Sequence, residues 1–233
     1  MQAFVELLGA ALKGIGWVFL PLLLLPLLYL FFPRSSHLTT FSKLIITIVD
    51  GFSFRLGEII KWTLPLLVLS TAFGVFALSI FGVAWTKLFE SAVYFHTSVI
   101  MLGSAATLLA GKHVRVDVFH SVMPQKTRAW VDFIGFYILL MPVCLIIIWN
   151  SQSFTYFAWR IFEGSNEADG INAVFLLKTL IPLFALTVLV QGMAISLRAA
   201  MCLNGVMRPA RPTGIDQLFM PDTKPELNAE AKT

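Results

Sequence analysis

His113, Asp117 and His120 stand at i, i+4 and i+7, the spacing that would align three metal ligands along one side of a helix. The run HVRVDVF, however, alternates apolar and polar residues. That pattern fits an extended loop, with Asp117 paired to Arg115 or Arg128, better than a ligand set. His96 is the sole histidine inside a long uncharged stretch. A haem on two axial histidines would need a second one on another such stretch, and there is none. His96 is therefore expected to hydrogen-bond between helices. No phosphate-binding glycine loop, Walker pattern or nucleophile elbow occurs. The expectation is a chain with no catalytic residue, no metal and no cofactor.

The elements that would position any such group are apolar. Of the 233 residues 58% are hydrophobic and 13% charged, against about 25% charged in an ordinary soluble domain. Cutting at every Lys, Arg, Asp and Glu leaves five long uncharged windows, 14–33, 62–86, 91–111, 133–159 and 179–197. Each holds roughly the 20 residues that carry a helix across the hydrocarbon of a bilayer. The expected fold class is all-α integral membrane: a four-helix transmembrane core, an N-terminal transmembrane helix and an interfacial amphipathic helix. The domains are 1–61, the N-terminal segment with the amphipathic helix; 62–200, the four-span core; and 201–233, a disordered cytoplasmic tail rich in Pro, Asp, Lys and Glu.

The segments between windows set the topology, because short cytoplasmic loops collect Lys and Arg. Thirteen of the 17 basic residues fall on one side, and only Lys13, Lys87, Arg160 and Lys178 on the other. This places the C-terminus in the cytoplasm and, with five crossings, the N-terminus outside. Pro21 and Pro26 interrupt the first window, so a kinked span or a re-entrant segment both fit it. The basic residues are spread through the loops rather than gathered in one patch, so nucleic acid is not an expected partner. All six tryptophans lie at or near window ends, where an indole buries its ring and keeps its N–H wet. Cys144 and Cys202 are expected at different depths and unpaired.

In FSKLIITIVDGFSFRLGEIIK, helical spacing puts Phe41, Ile45, Ile48, Phe52 and Ile59 on one face, with Lys43, Thr47, Asp50 and Lys61 opposite. Such a helix should lie flat on the cytoplasmic surface. Only Lys87 to Glu90 separates the second and third windows, so these spans form a tight hairpin. Gly103, Thr107 and Gly111 recur every fourth residue, a small-residue stripe that permits close helix approach within the chain or to another subunit.

The stretch ESAVYFHTSVIMLGSAATLLAGKHVRVDVF, then MPQKTRAWVDFIG, then EGSNEADGI with a downstream Lys and Pro, resembles the small membrane subunit of tripartite ATP-independent periplasmic (TRAP) transporters, the DctQ family, over roughly residues 62–200. Within that resemblance Glu90 is the acidic residue opening the second core span and Gly103 the mid-span glycine. His113, Arg115 and Asp117 match the loop signature. Glu163, Ser165, Gly170, Lys178 and Pro182 match the pattern after the third span. Two features depart from the common form: about 60 residues precede the core, as in the long N-terminal branch, and Val93 replaces a frequent basic residue.

The resemblance implies a non-catalytic small permease subunit in the bacterial inner membrane. It would support a large DctM-type subunit in ion-coupled uptake of organic acid anions delivered by a periplasmic solute-binding protein. Glu90, Arg160 and the loop from Glu163 to Asp169 are then candidates for contact with these partners. A membrane anchor of a redox enzyme is the competing class.

Overall fold

In a computed structural model of the chain, residues 21–32, 36–111, 123–206, 209, 211–212 and 214–215 are described. They form helices α1 (Leu25–Phe31), α2 (Ser36–Ile60), α3 (Thr63–Phe81), α4 (Thr86–Ala110), α5 (Gln125–Gly135), α6 (Met141–Ile161) and α7 (Val174–Leu203). No strand occurs among the described residues. Four stretches are long and apolar enough to cross a membrane: Ser36–Phe81, Thr86–Ala110, Gln125–Ile161 and Val174–Leu203. Each holds most or all of one of the last four uncharged windows. The first window is described only from Pro21, where two short helical pieces meet at Leu24; the remainder of its anticipated crossing lies outside the described residues.

Backbone chemistry sets the helix ends. Gly82 closes α3 with φ 64° and Gly111 closes α4 with φ 71°, left-handed conformations that glycine adopts without a Cβ clash. The α3–α4 turn therefore falls at Gly82–Trp85, ahead of the expected Lys87–Glu90. Lys87 and Glu90 instead ride on the first turns of α4. The hairpin packs through Gly74, where an added Cβ would touch the Phe89 ring at 3.4 Å.

Between α5 and α6 the helix opens into a π turn over Phe136–Leu140, with the Met141 amide bonding five residues back to Phe136 O. Pro142 follows, and it can neither donate a hydrogen bond nor tolerate the carbonyl four residues before it. The turn bulges onto α7 at Gly192, where an added Cβ would meet Leu140 Cδ2 at 2.1 Å and the Phe136 ring at 3.1 Å.

Helix α7 is the hub, packed by α1, α2, α4, α5 and α6. Half of its apolar span is buried, against 17% in each of the others. Residues 21–32 are built into this hub: Leu23 and Tyr29 are buried. The Tyr137 hydroxyl donates to Leu23 O at 2.9 Å, and Asn204 Nδ2 donates to Tyr29 O at 3.2 Å. Beyond residue 200 the chain is not all tail. Helix α7 continues to Leu203, Ile215 is buried with Leu109 and Ala110 near Phe54, and Arg211 Nη1 donates to Ala110 O at 3.4 Å. Cys144 and Cys202 are unpaired.

Helix α2 departs from the two-faced helix the pattern suggests. Ser42, Ile45, Ile46, Val49, Asp50 and Ser53 make a buried stripe against α4 and α7, whereas Phe41, Ile48, Phe52 and Ile59 are exposed. Periodicity grouped Ile45 with these four and set Asp50 on the water side. Tertiary packing moves both inward and divides the helix into three sides: buried, exposed apolar, and polar with Lys43, Thr47 and Lys61.

Candidate functional site

Five of the residues singled out in the sequence converge at one end of the bundle. Glu90, on the second turn of α4, accepts the Ile171 amide at 2.5 Å and the Ser165 hydroxyl. Ser165 Oγ accepts in turn from the Glu167 amide at 3.1 Å. The loop from Glu163 to Ala173 is thereby folded over the carboxylate. Charge-assisted bonds of this kind are about twice as strong as neutral ones.

Glycine is required where the loop crosses the carboxylate. A Cβ on Gly170 would lie 2.2 Å from Ser165 Oγ and 2.7 Å from Glu90 Oε1, and one on Gly164 would lie 2.7 Å from Asn172 Oδ1. The left-handed Phe162, φ 47°, ends α6 and turns the chain into this loop.

A second anchor ties the loop to α7. Lys178 Nζ donates to both Glu163 oxygens, at 2.6 and 2.5 Å. Trp159 Nε1 donates to Thr179 Oγ1 at 2.8 Å one residue further on. Pro182 sits inside α7. It supplies no amide to the helix ladder, so the carbonyl of Lys178 is released from its usual bond. Lys87 Nζ reaches Asp169 at 2.9 Å on the exposed rim.

The other candidates lie elsewhere. Gly103 is further along α4, where an added Cβ would meet nothing within 4 Å. It lines a groove of about 310 Å³ with Gly57, Ile60, Lys61, Leu64 and Thr107. The small-residue stripe therefore does not make the α3–α4 contact. His113, Arg115 and Asp117 lie outside the described residues, as does His120. Arg160 is in the last turn of α6, where a cation complements the helix dipole. His96, expected between helices, is exposed on α4.

A second polar cluster was not foreseen. Asp50, 1% exposed, accepts from both terminal nitrogens of Arg198, one of them Nη1 at 3.2 Å, and from Gln191 Nε2 at 3.1 Å. Ser53 Oγ donates to Gln191 Oε1 at 2.7 Å. The planar guanidinium suits such a fork-to-fork pairing. The available signal was a lone acid in the apolar run ITIVDGFSF together with Gln191 inside the last window. Intramembrane ionisable groups that are paired tend to face the protein interior.

A set of four long apolar stretches, each able to cross a membrane, defines a multi-pass helical membrane protein. Over residues 67–203 the chain matches the family model for tripartite ATP-independent periplasmic transporters, DctQ component, and it belongs to that family. No curated protein and no solved structure matches it.

Proposed function

We propose that the chain is the non-catalytic small permease subunit of a TRAP secondary transporter. In this reading it braces a large DctM-type subunit that carries organic acid anions, and the coupling ion, delivered by a periplasmic solute-binding protein. The Glu90 end faces the periplasm and the Arg198 end the cytoplasm, in keeping with the basic-residue asymmetry. The N-terminus is periplasmic if residues 14–33 cross fully.

The observation that carries this reading is how four of the described acidic groups are used. Glu90 holds Ile171 and Ser165, Glu163 holds Lys178, Asp169 holds Lys87, and Asp50 holds Arg198. These carboxylates fasten one element to another, which suits a rigid support more than a cargo path. The family match adds the transporter to which such a support belongs.

The test is affinity purification of the tagged chain from native membranes. The expected result is a colourless complex containing a large multi-pass protein, in which removal of this chain abolishes uptake. Solute flux through liposomes holding this chain alone would overturn the reading, as would a haem absorption band in the purified complex.

A further inference from the structure

Helix α2 carries five large apolar side chains left uncovered by the described residues: Phe41, Leu44, Ile48, Phe52 and Ile59 are each 48–66% exposed. The opposite edge of the helix is fixed. Asp50 and Ser53 are tied to Arg198 and Gln191 on α7, and this buried network sets the roll of α2 about its axis. The roll decides what the stripe meets.

Charge and shape indicate the occupant. Arg55 is exposed among the apolar residues, and Lys43 is half-buried on the polar side of the helix. Glu58 is engaged by Lys61 at 2.6 Å and Asp50 by Arg198. Neither Arg55 nor Lys43 has an acidic partner among the described residues. The exposed side of α2 is thus apolar with uncompensated positive charge. A transmembrane helix from another subunit packs best on small residues. Protruding Phe and Ile side chains flanked by cations suit acyl chains beneath phosphate groups instead.

We propose that α2 is an anionic-phospholipid binding element. The Phe41–Ile59 stripe lies among acyl chains, Arg55 and Lys43 engage lipid phosphates, and the Asp50–Arg198 network holds the helix at the required roll. This requires only that the chain sits in a bilayer, and it stands apart from the transport role.

Native mass spectrometry of the purified full chain, titrated with phosphatidylglycerol or phosphatidylcholine, tests the headgroup preference. Each basic residue near an anionic surface contributes about a five-fold gain in binding. Wild type should therefore favour phosphatidylglycerol by roughly ten-fold or more, and Arg55→Gln and Lys43→Gln should each remove about five-fold of it. Equal binding of the two lipids by wild type would overturn the proposal.

The position of the stripe is tested independently in liposomes, on a chain whose Cys144 and Cys202 are replaced by Ala. Ile48→Cys should resist a water-soluble maleimide while Thr47→Cys, on the polar side, reacts. Equal labelling of both would overturn the placement. Protection of Ile48→Cys that appears only on co-expression of a large partner subunit would assign the stripe to protein and overturn the lipid assignment.

Discussion

Glu90 and Ile171 are 81 residues apart in sequence, and the carboxylate of the first accepts the backbone amide of the second at 2.5 Å. One side chain at the start of α4 therefore fixes the path of the loop between α6 and α7. Glu90→Ala should free that loop without unfolding the bundle, whose hub is α7. Glu90→Gln should retain part of the closure, because its amide oxygen still accepts from Ile171. Limited proteolysis within 163–173 reads the difference: rapid cleavage for Ala, intermediate for Gln, slow for wild type.

Gly170→Ala should be worse than its size suggests. Its Cβ would fall 2.2 Å from Ser165 Oγ and 2.7 Å from Glu90 Oε1, and neither can withdraw without breaking the bonds it makes. Overpacking of this kind costs about 1–3 kcal/mol. Thermal unfolding in detergent, followed by size-exclusion, should show a lower midpoint. Gly170→Ala combined with Ser165→Gly, which removes both nearest atoms, Oγ at 2.2 Å and Cβ at 2.3 Å, should recover part of the loss.

Much of this was legible in the sequence. The absence of charge located the four spans, because a bilayer penalises charge over a whole window, and the resemblance placed Glu90, Glu163, Ser165, Gly170 and Lys178 on one list before the fold brought them together. What failed to show has physical reasons. Charge marks where the chain meets water, whereas the α3–α4 turn is set by left-handed Gly82; reading Lys87–Glu90 as the turn confused the two. Helical periodicity gives angles but not neighbours, so Asp50 looked solvent-facing until α7 supplied Arg198. The π turn is invisible to hydropathy, since Pro142 alters hydrogen bonding and not polarity.

The ion pair of Glu163 and Lys178 should contribute modestly. Its side chains are 28% and 31% exposed, and pairs with that much water contact are worth about 0–1 kcal/mol. A double-mutant cycle with Glu163→Ala and Lys178→Ala should give a coupling within that range, shrinking as salt is raised. The charge-swapped pair, Glu163→Lys with Lys178→Glu, should retain most of the wild-type stability. A coupling of several kcal/mol would mean that the pair is far drier than its exposure indicates.

Asp50 and Arg198 should behave in the opposite manner. Their side chains are 2% and 11% exposed, so removing one partner strands a buried charge, at a cost of about 3–5 kcal/mol. Asp50→Ala should sharply reduce the yield of folded protein. Replacing both by apolar residues of similar volume, Asp50→Leu with Arg198→Met, should restore much of it, because no charge is left unpaired. If the double variant were as unstable as Asp50→Ala alone, the cost would lie in lost packing rather than in the stranded charge.

Two glycines on different helices separate packing from propensity. Gly192→Ala pushes a Cβ to 2.1 Å from Leu140 Cδ2 and 3.1 Å from the Phe136 ring. The leucine tip can turn away, but the ring is buried in the π turn that Pro142 enforces, so a cost of about 1–3 kcal/mol remains. Gly103→Ala meets open space within 4 Å and should stabilise the isolated chain by up to about 1 kcal/mol through helix propensity. Thermal midpoints should therefore move in opposite directions for what is the same chemical change. Equal shifts would show that contact with the π turn does not govern Gly192.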